Sequence, residues 1–184
     1  NEGRRKRVAA AEGPVVVDQV VVAGGGGRLL PEAAESAYPD LLAEATLVTP
    51  NAEEAAVLTD VEPTDETSAR AAGRKLVSAG PAGALVTGGH VPGSAVRDVL
   101  VTPKGHETMR HPRVETEATH GSGCTLSAAI ATRLARSDDL FAAVERSTEF
   151  VARAIRNHHS VGQGPGAVHH LVELHDDALR HADG

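Results

Sequence analysis

The chain has 184 residues, room for one domain, and 41% hydrophobic with 23% charged residues gives it a core to bury. Lys+Arg 18 against Asp+Glu 25 leaves a formal net charge of −7, which argues against generic binding of nucleic acid or an anionic membrane. No apolar run reaches membrane-spanning length, and the single cysteine, Cys124, excludes an internal disulfide and a cysteine-cluster metal site. A soluble protein of a reducing cytoplasm is therefore expected. Aromatic residues make up 2% and Trp is absent, so the core must be built from Ala, Val, Leu and Ile. The chain opens on Asn1, and Arg4-Arg5-Lys6-Arg7 has no apolar stretch of signal-peptide type behind it. The expectation is that the native N-terminus is missing.

In chain order, Val15-Val16-Val17-Asp18-Gln19-Val20-Val21-Val22 reads as a strand buried on both faces, central in a parallel sheet. Gly24–Gly27 break the chain, and Pro31 opens an Ala/Glu-rich helix interrupted at Pro39. Residues 45–49 form a short strand ending at Pro50, and a helix follows from Asn51 to about Leu58. A further helix runs from near Thr64 to Ala79, and Gly83–Thr87 is a buried strand stopped by Gly88-Gly89. Val96–Thr102 and Glu107–His111 pair as an antiparallel hairpin around Pro103-Lys104-Gly105. Gly121-Ser122-Gly123 leads into a helix from about Cys124 to Ala135. A long helix starts at Asp138, with Leu140, Val144, Ser147, Val151 and Ile155 at helical spacing. A short helix closes the chain after His169-His170. Strands alternating with helices predict an α/β domain with a mostly parallel sheet and one hairpin.

The strongest local signal is Thr119-His120-Gly121-Ser122-Gly123-Cys124-Thr125. Small residues before a helix N-terminus can form an anion site suited to phosphate. The same helix end would lower the Cys124 pKa and favour thiolate. The competing reading is a Gly-rich turn with a small buried cysteine. Asn51 and Glu54, three apart at a helix start, could hold a hydrated cation, but an N-cap with dipole-matched carboxylates is the favoured account. Asp18 would be costly inside a buried strand unless it lies at the strand's C-terminal end, where open α/β sheets bind ligands. The ten histidines show no metal-ligand pattern; His158-His159 and His169-His170 are adjacent pairs whose side chains do not converge.

Taken together, these landmarks make the chain from about Val15 to Leu171 resemble the C-terminal two-thirds of the hydroxymethylpyrimidine/phosphomethylpyrimidine kinases of thiamine synthesis, in the ribokinase superfamily. Val17-Asp18-Gln19-Val20 is similar to the family's Asp-Pro-Val-Met strand, and Arg28-Leu29-Leu30 follows in place. Thr49-Pro50-Asn51-Ala52-Glu53-Glu54 resembles its Thr-Pro-Asn-x-x-Glu motif. Gly88-Gly89-His90 is similar to its Lys-Gly-Gly-His, residues 119–130 to its signature, and Gly164–His170 to its closing motif.

The resemblance implies a three-layer ribokinase-like sandwich and transfer of the ATP γ-phosphoryl to 4-amino-5-hydroxymethyl-2-methylpyrimidine, then to its monophosphate. It implies Cys124 as the group that accepts or positions the substrate hydroxyl proton. Gly121, Ser122 and Gly123 would offer N–H groups to the transferred phosphoryl. Asp18, Asn51, Glu54, Thr87 and Gly89 would form the nucleotide and phosphate region, with Glu54 holding Mg²⁺ through water. The adenine would lie near the hairpin, the 121–130 helix and the closing segment. A homodimer is a further expectation.

The sequence departs from the family pattern at three points. Thr87 stands where the family has the Lys of Lys-Gly-Gly-His, Gly24 falls where it has the Lys of Ala-Lys-Ser-Gly-Asp, and Gln19 replaces the Pro. Residues 1–14 are read as a remnant and 15–184 as an incomplete kinase domain that carries the nucleotide half and lacks most of the substrate half. The alternatives are an inactive remnant that keeps nucleotide binding, or a ribokinase-like kinase for another small alcohol.

Overall fold

The structure, a computed structural model, describes residues 11–19, 41–116, 118–159, 164 and 166–172. The expected helix after Pro31, Gly24–Gly27, Arg28-Leu29-Leu30 and the terminal helix beyond Val172 lie outside them. The elements run β1 (Val16–Val17), β2 (Leu47–Val48), α1 (Ala52–Thr59), α2 (Glu66–Ser78), β3 (Ala84–Val86), β4 (Ala95–Thr102), β5 (Gly105–Pro112), α3 (Ser122–Ala135) and α4 (Leu140–Arg156).

The five strands form one sheet in the order β1-β2-β3-β4-β5. β1, β2 and β3 are parallel, through Val17↔Val48 and Val48↔Ala84. β4 is antiparallel to β3 and to β5, so the sheet is mixed and its parallel part is confined to the first three strands. The expected hairpin is β4–β5, longer at both ends than the sequence reading. β1 ends the sheet among the described residues instead of lying centrally as expected: β2 is its partner, and no described strand lies on its other side.

Alternation along each strand divides the core into two layers. Val17, Val48, Ala84, Val86, Val99 and Val101 face Ala55 of α1 and Ala69, Ala72 and Leu76 of α2. Leu47, Leu85, Leu100 and Met109 face Leu126 and Ile130 of α3 and Ala143, Val144 and Val151 of α4. Helices on both faces of one sheet make the three-layer α/β arrangement that was expected. Burial of fully covered side chains such as Leu85, Ile130 and Val144 stabilises it by roughly 1.5–3 kcal/mol each. α4 begins at the N-cap Asp139, whose side chain accepts from the Ala142 N–H at 2.9 Å.

Candidate active site

Three parallel strands set their C-terminal ends side by side, and the chain leaves each end with a polar residue. Asp18 directly follows β1, which removes the cost of a carboxylate within a buried strand. Thr49-Pro50-Asn51 follow β2, and Thr87-Gly88 follow β3. Asn51 and Thr87 are joined by a parallel bridge, with the Thr87 N–H donating to Pro50 O at 2.9 Å. Gly88 is fixed by close approach: a Cβ there would lie 2.2 Å from the carbonyl oxygen of Arg97 in β4. Gly89, one residue on, faces open space.

Asn51 caps α1 by a reciprocal box. Its Oδ1 accepts from the Glu54 N–H at 2.9 Å, and its own N–H donates to Glu54 Oε2 at 2.9 Å. The favoured N-cap account is therefore present in the structure. It does not displace the site account, because the Glu54 carboxylate, 3% exposed, also acts through its charge on the Cys124 thiol.

α3 starts from Gly121, whose φ of 81° lies in the left-handed region that glycine adopts without a Cβ penalty. No side chain caps this helix. The Ser122 N–H donates to Thr119 O at 3.1 Å and the Thr125 N–H to Gly121 O at 2.9 Å. The N–H groups of Gly123 and Cys124, inside the first turn, have no intrahelical acceptor. Of the three residues expected to form an anion nest, Ser122 thus spends its N–H on the preceding turn, and Gly123 carries an N–H that the helix does not use.

Two hydroxyls missed in the sequence lock this turn onto the strand ends. Ser127 Oγ donates to Gly123 O at 3.0 Å and lies 2.9 Å from Thr49 Oγ1, both hydroxyls being buried. A serine four residues after Gly123 was the available signal; its strand partner could not be read from local spacing. Thr125 Oγ1 donates to Gly121 O at 2.7 Å, so at 3.0 Å it accepts from His170 Nε2. That contact brings the closing segment over α3.

Cys124 is exposed, on the first turn of α3, as expected. Its pKa is not lowered. Removal of water around the sulfur pushes it up first, and a hydrogen bond to the Asp18 carboxylate, the Asp18 charge and the Glu54 charge push it further. A backbone hydrogen bond at Cys124 opposes them and loses. The shift thus runs opposite to the thiolate expected: lost hydration, seconded by the Asp18 and Glu54 carboxylates, outweighs the helix end.

Beside Cys124 an open groove of about 450 Å³ is lined by Gly121, Thr125, Ala128, Phe150 and His170 among others. Its wall is mostly apolar, with Cys124, Thr125, Thr132 and His170 as its polar members, a composition that suits a small-molecule site. Among the described residues no group of three or more His, Cys, Asp or Glu is arranged to hold a metal ion. No helix among them is long and apolar enough to cross a membrane.

The phosphomethylpyrimidine kinase family profile matches residues 5–169. The chain is 41% identical over 164 residues to a hydroxymethylpyrimidine/phosphomethylpyrimidine kinase of Streptomyces coelicolor, covering 89% of this chain and 61% of that protein. It is 39% identical to a thiamine biosynthesis bifunctional protein ThiED of Geobacter sulfurreducens, over 88% of this chain and 33% of that protein. Among solved structures, an ADP complex of Bacillus subtilis pyridoxal kinase superposes with a TM-score of 0.84 at 28% identity, covering 94% of this chain and 66% of that one. A phosphomethylpyrimidine kinase of Clostridium difficile superposes at 0.65 with 30% identity, covering 77% and 57%. The chain thus spans about three-fifths of its Streptomyces relative. The fold is ribokinase-like, and with the family profile running through both the capped Asn51 turn and the Cys124 helix, the chain belongs to the phosphomethylpyrimidine kinase family.

Proposed function

We propose that this chain supplies the nucleotide half of a cytoplasmic kinase that transfers the ATP γ-phosphoryl to hydroxymethylpyrimidine and then to its monophosphate, in thiamine diphosphate synthesis. The carrying observation is the convergence at the C-terminal ends of the parallel strands of the Asn51–Glu54 box, the Asn51–Thr87 bridge and the 2.9 Å Thr49–Ser127 contact that seats the first turn of α3 there. The names of the curated relatives support the substrate, and nucleotide complexes among the structural neighbours support ATP.

The adenine lies in the groove over Ala128 and Phe150, and the phosphates run towards the Gly123 and Cys124 N–H groups. Those donors stabilise charge on the transferred group without having to reorganise. On this reading Asn51 and Glu54, with Asp18 near, would hold Mg²⁺ through its waters, which suits an ion that keeps waters and phosphate oxygens. When bound, the ion neutralises phosphate charge. Because the resting Cys124 carries its proton, it accepts a second only by handing its own to Asp18. The substrate hydroxyl proton goes to the sulfur while the thiol proton goes to the Asp18 carboxylate, so the pair is the base and the sulfur stays neutral.

The test is direct. Mg-ADP and Mg-ATP are titrated into the 184-residue chain, and phosphoryl transfer to hydroxymethylpyrimidine and pyridoxal is measured with the chain and with a protein extended to the length of its relatives. The expected result is nucleotide binding by both and efficient pyrimidine phosphorylation by the longer one. Cys124→Ala in the longer protein lowers transfer by about 10²–10⁴-fold with nearly unchanged nucleotide affinity. Absence of nucleotide binding overturns the reading, and a preference for pyridoxal overturns the substrate.

A further inference from the structure

The segment from Gly88 to Ser94 joins β3 to β4 and leaves the sheet beside Asn51. A single guanidinium holds three of its carbonyls. Arg113 Nε donates to Gly93 O at 2.7 Å, Nη1 to Gly89 O at 2.7 Å and Nη2 to Val91 O. The Arg113 main-chain N–H adds a bond to Ser94 O at 3.0 Å. At the other end Asp98, 4% exposed, accepts the Gly88 N–H on Oδ1 at 2.9 Å, and its Oδ2 lies 3.3 Å from His111 Nε2. Both clamps come from the hairpin side: Asp98 from β4, and Arg113 from the residue after β5.

Such a brace is unusual for a surface turn. Carbonyls at every second residue point to one charged fork, and with all peptides trans the His90 and Ser94 N–H groups are turned away from it. The arrangement orders the loop before any ligand arrives and sets positive charge behind it.

We propose that Arg113, with Asp98 as the opposing clamp, is a positioning residue that preorganises the Gly88–Ser94 loop for the nucleotide phosphates and places a cation behind it. This rests on the nucleotide reading above. Arg113 touches loop carbonyls, and its effect passes through the backbone. Lysine at 113 could not replace it, because one ammonium cannot span three carbonyls held by a planar fork.

The experiment titrates Mg-ADP into the chain and into Arg113→Ala and Arg113→Gln by calorimetry, and follows amide hydrogen exchange without nucleotide. The expected result is about a tenfold loss of affinity in both variants. Exchange rises within 88–94 and stays unchanged elsewhere, and millimolar guanidinium partly restores binding to Arg113→Ala. Asp98→Asn, which keeps the shape and loses the charge, weakens binding in the same direction and serves if the Arg113 variants do not fold. Parent-like affinity in the variants overturns the proposal while leaving the nucleotide reading intact. So does an affinity loss that tracks global melting and is not rescued by guanidinium. A parent chain that binds no Mg-ADP overturns both.

Discussion

At residue scale the chemistry turns on one sulfur whose two neighbours disagree. The first turn of α3 favours thiolate, while lost hydration, Asp18 and Glu54 favour thiol, and the second group wins. Cys124 therefore titrates above the ordinary thiol range, and in the folded chain it is mostly protonated at neutral pH. Alkylation with iodoacetamide is expected to be slow near pH 7 despite the exposed position and to accelerate only in alkaline solution. Asp18→Asn removes one negative charge and puts an amide that can donate to a thiolate in its place, so the midpoint moves down and labelling near neutral pH speeds up. Labelling rates that are fast in the parent and identical in the variant would contradict this account. The helix end beside Cys124 is legible from Gly-Ser-Gly-Cys alone. The carboxylate that outweighs it is not, because Asp18 reaches the sulfur only through the pairing of β1 with β2 and the packing of α3 against them.

At the scale of elements, the Asn51 cap and the Pro103-Lys104-Gly105 turn were legible in the sequence, whereas the starts of α2 and α4, read near Thr64 and at Asp138, fall one residue later, at the caps Asp65 and Asp139. Asn51 and Glu54 form a capping box, Asp65 and Asp139 accept from the third residue of their helices, and Gly105 turns the hairpin. Asn51→Ala is expected to cost about 0.5–2 kcal/mol in urea unfolding. The same change should weaken Mg-ADP binding, since it takes the Asn51 amide out of the phosphate region while the Glu54 carboxylate keeps its bond from the main-chain N–H of residue 51. If stability falls and nucleotide affinity does not, α1's cap is structural only. The parallel strands were harder to bound. A valine run reads as one long strand, yet the described ladder between β1 and β2 is two residues on each side. Hydrophobicity marks what is buried, not which backbone groups pair. The brace on Gly88–Ser94 was invisible for a related reason: an arginine whose fork is spent on carbonyls carries no periodic signature.

At the scale of the whole molecule the pairing is uneven. β4 and β5 pair through eight residues, and β3 joins β4 through three, whereas β2 meets β3 at a single register pair and β1 lies at the end of the order. Local opening should follow that gradient. Amides of Val99, Leu100 and Val101 are expected to exchange last, and those of Val16 and Val17 early, with Mg-ADP slowing the second group. Uniform protection across all five strands would show that the β1 end is as firmly held as the hairpin. The α/β class and the two-sided covering by helices were legible from the alternation of strand and helix patterns. The hairpin, and with it a mixed sheet, was legible too from the Pro103-Lys104-Gly105 turn; the antiparallel pairing of β4 with β3 was not, because no local turn signal sets the direction in which the chain returns beside β3.

The aliphatic core has a consequence for spectroscopy. With no Trp and one Tyr, the chain is nearly transparent in the near ultraviolet and has almost no intrinsic fluorescence. Its concentration by absorbance will be badly underestimated, and its unfolding will leave little fluorescence trace. The same transparency is an advantage at the groove beside Phe150. A bound adenine or aminopyrimidine is the dominant chromophore of the complex, so its perturbed absorption and induced dichroism can be read directly, without a label and with little protein background.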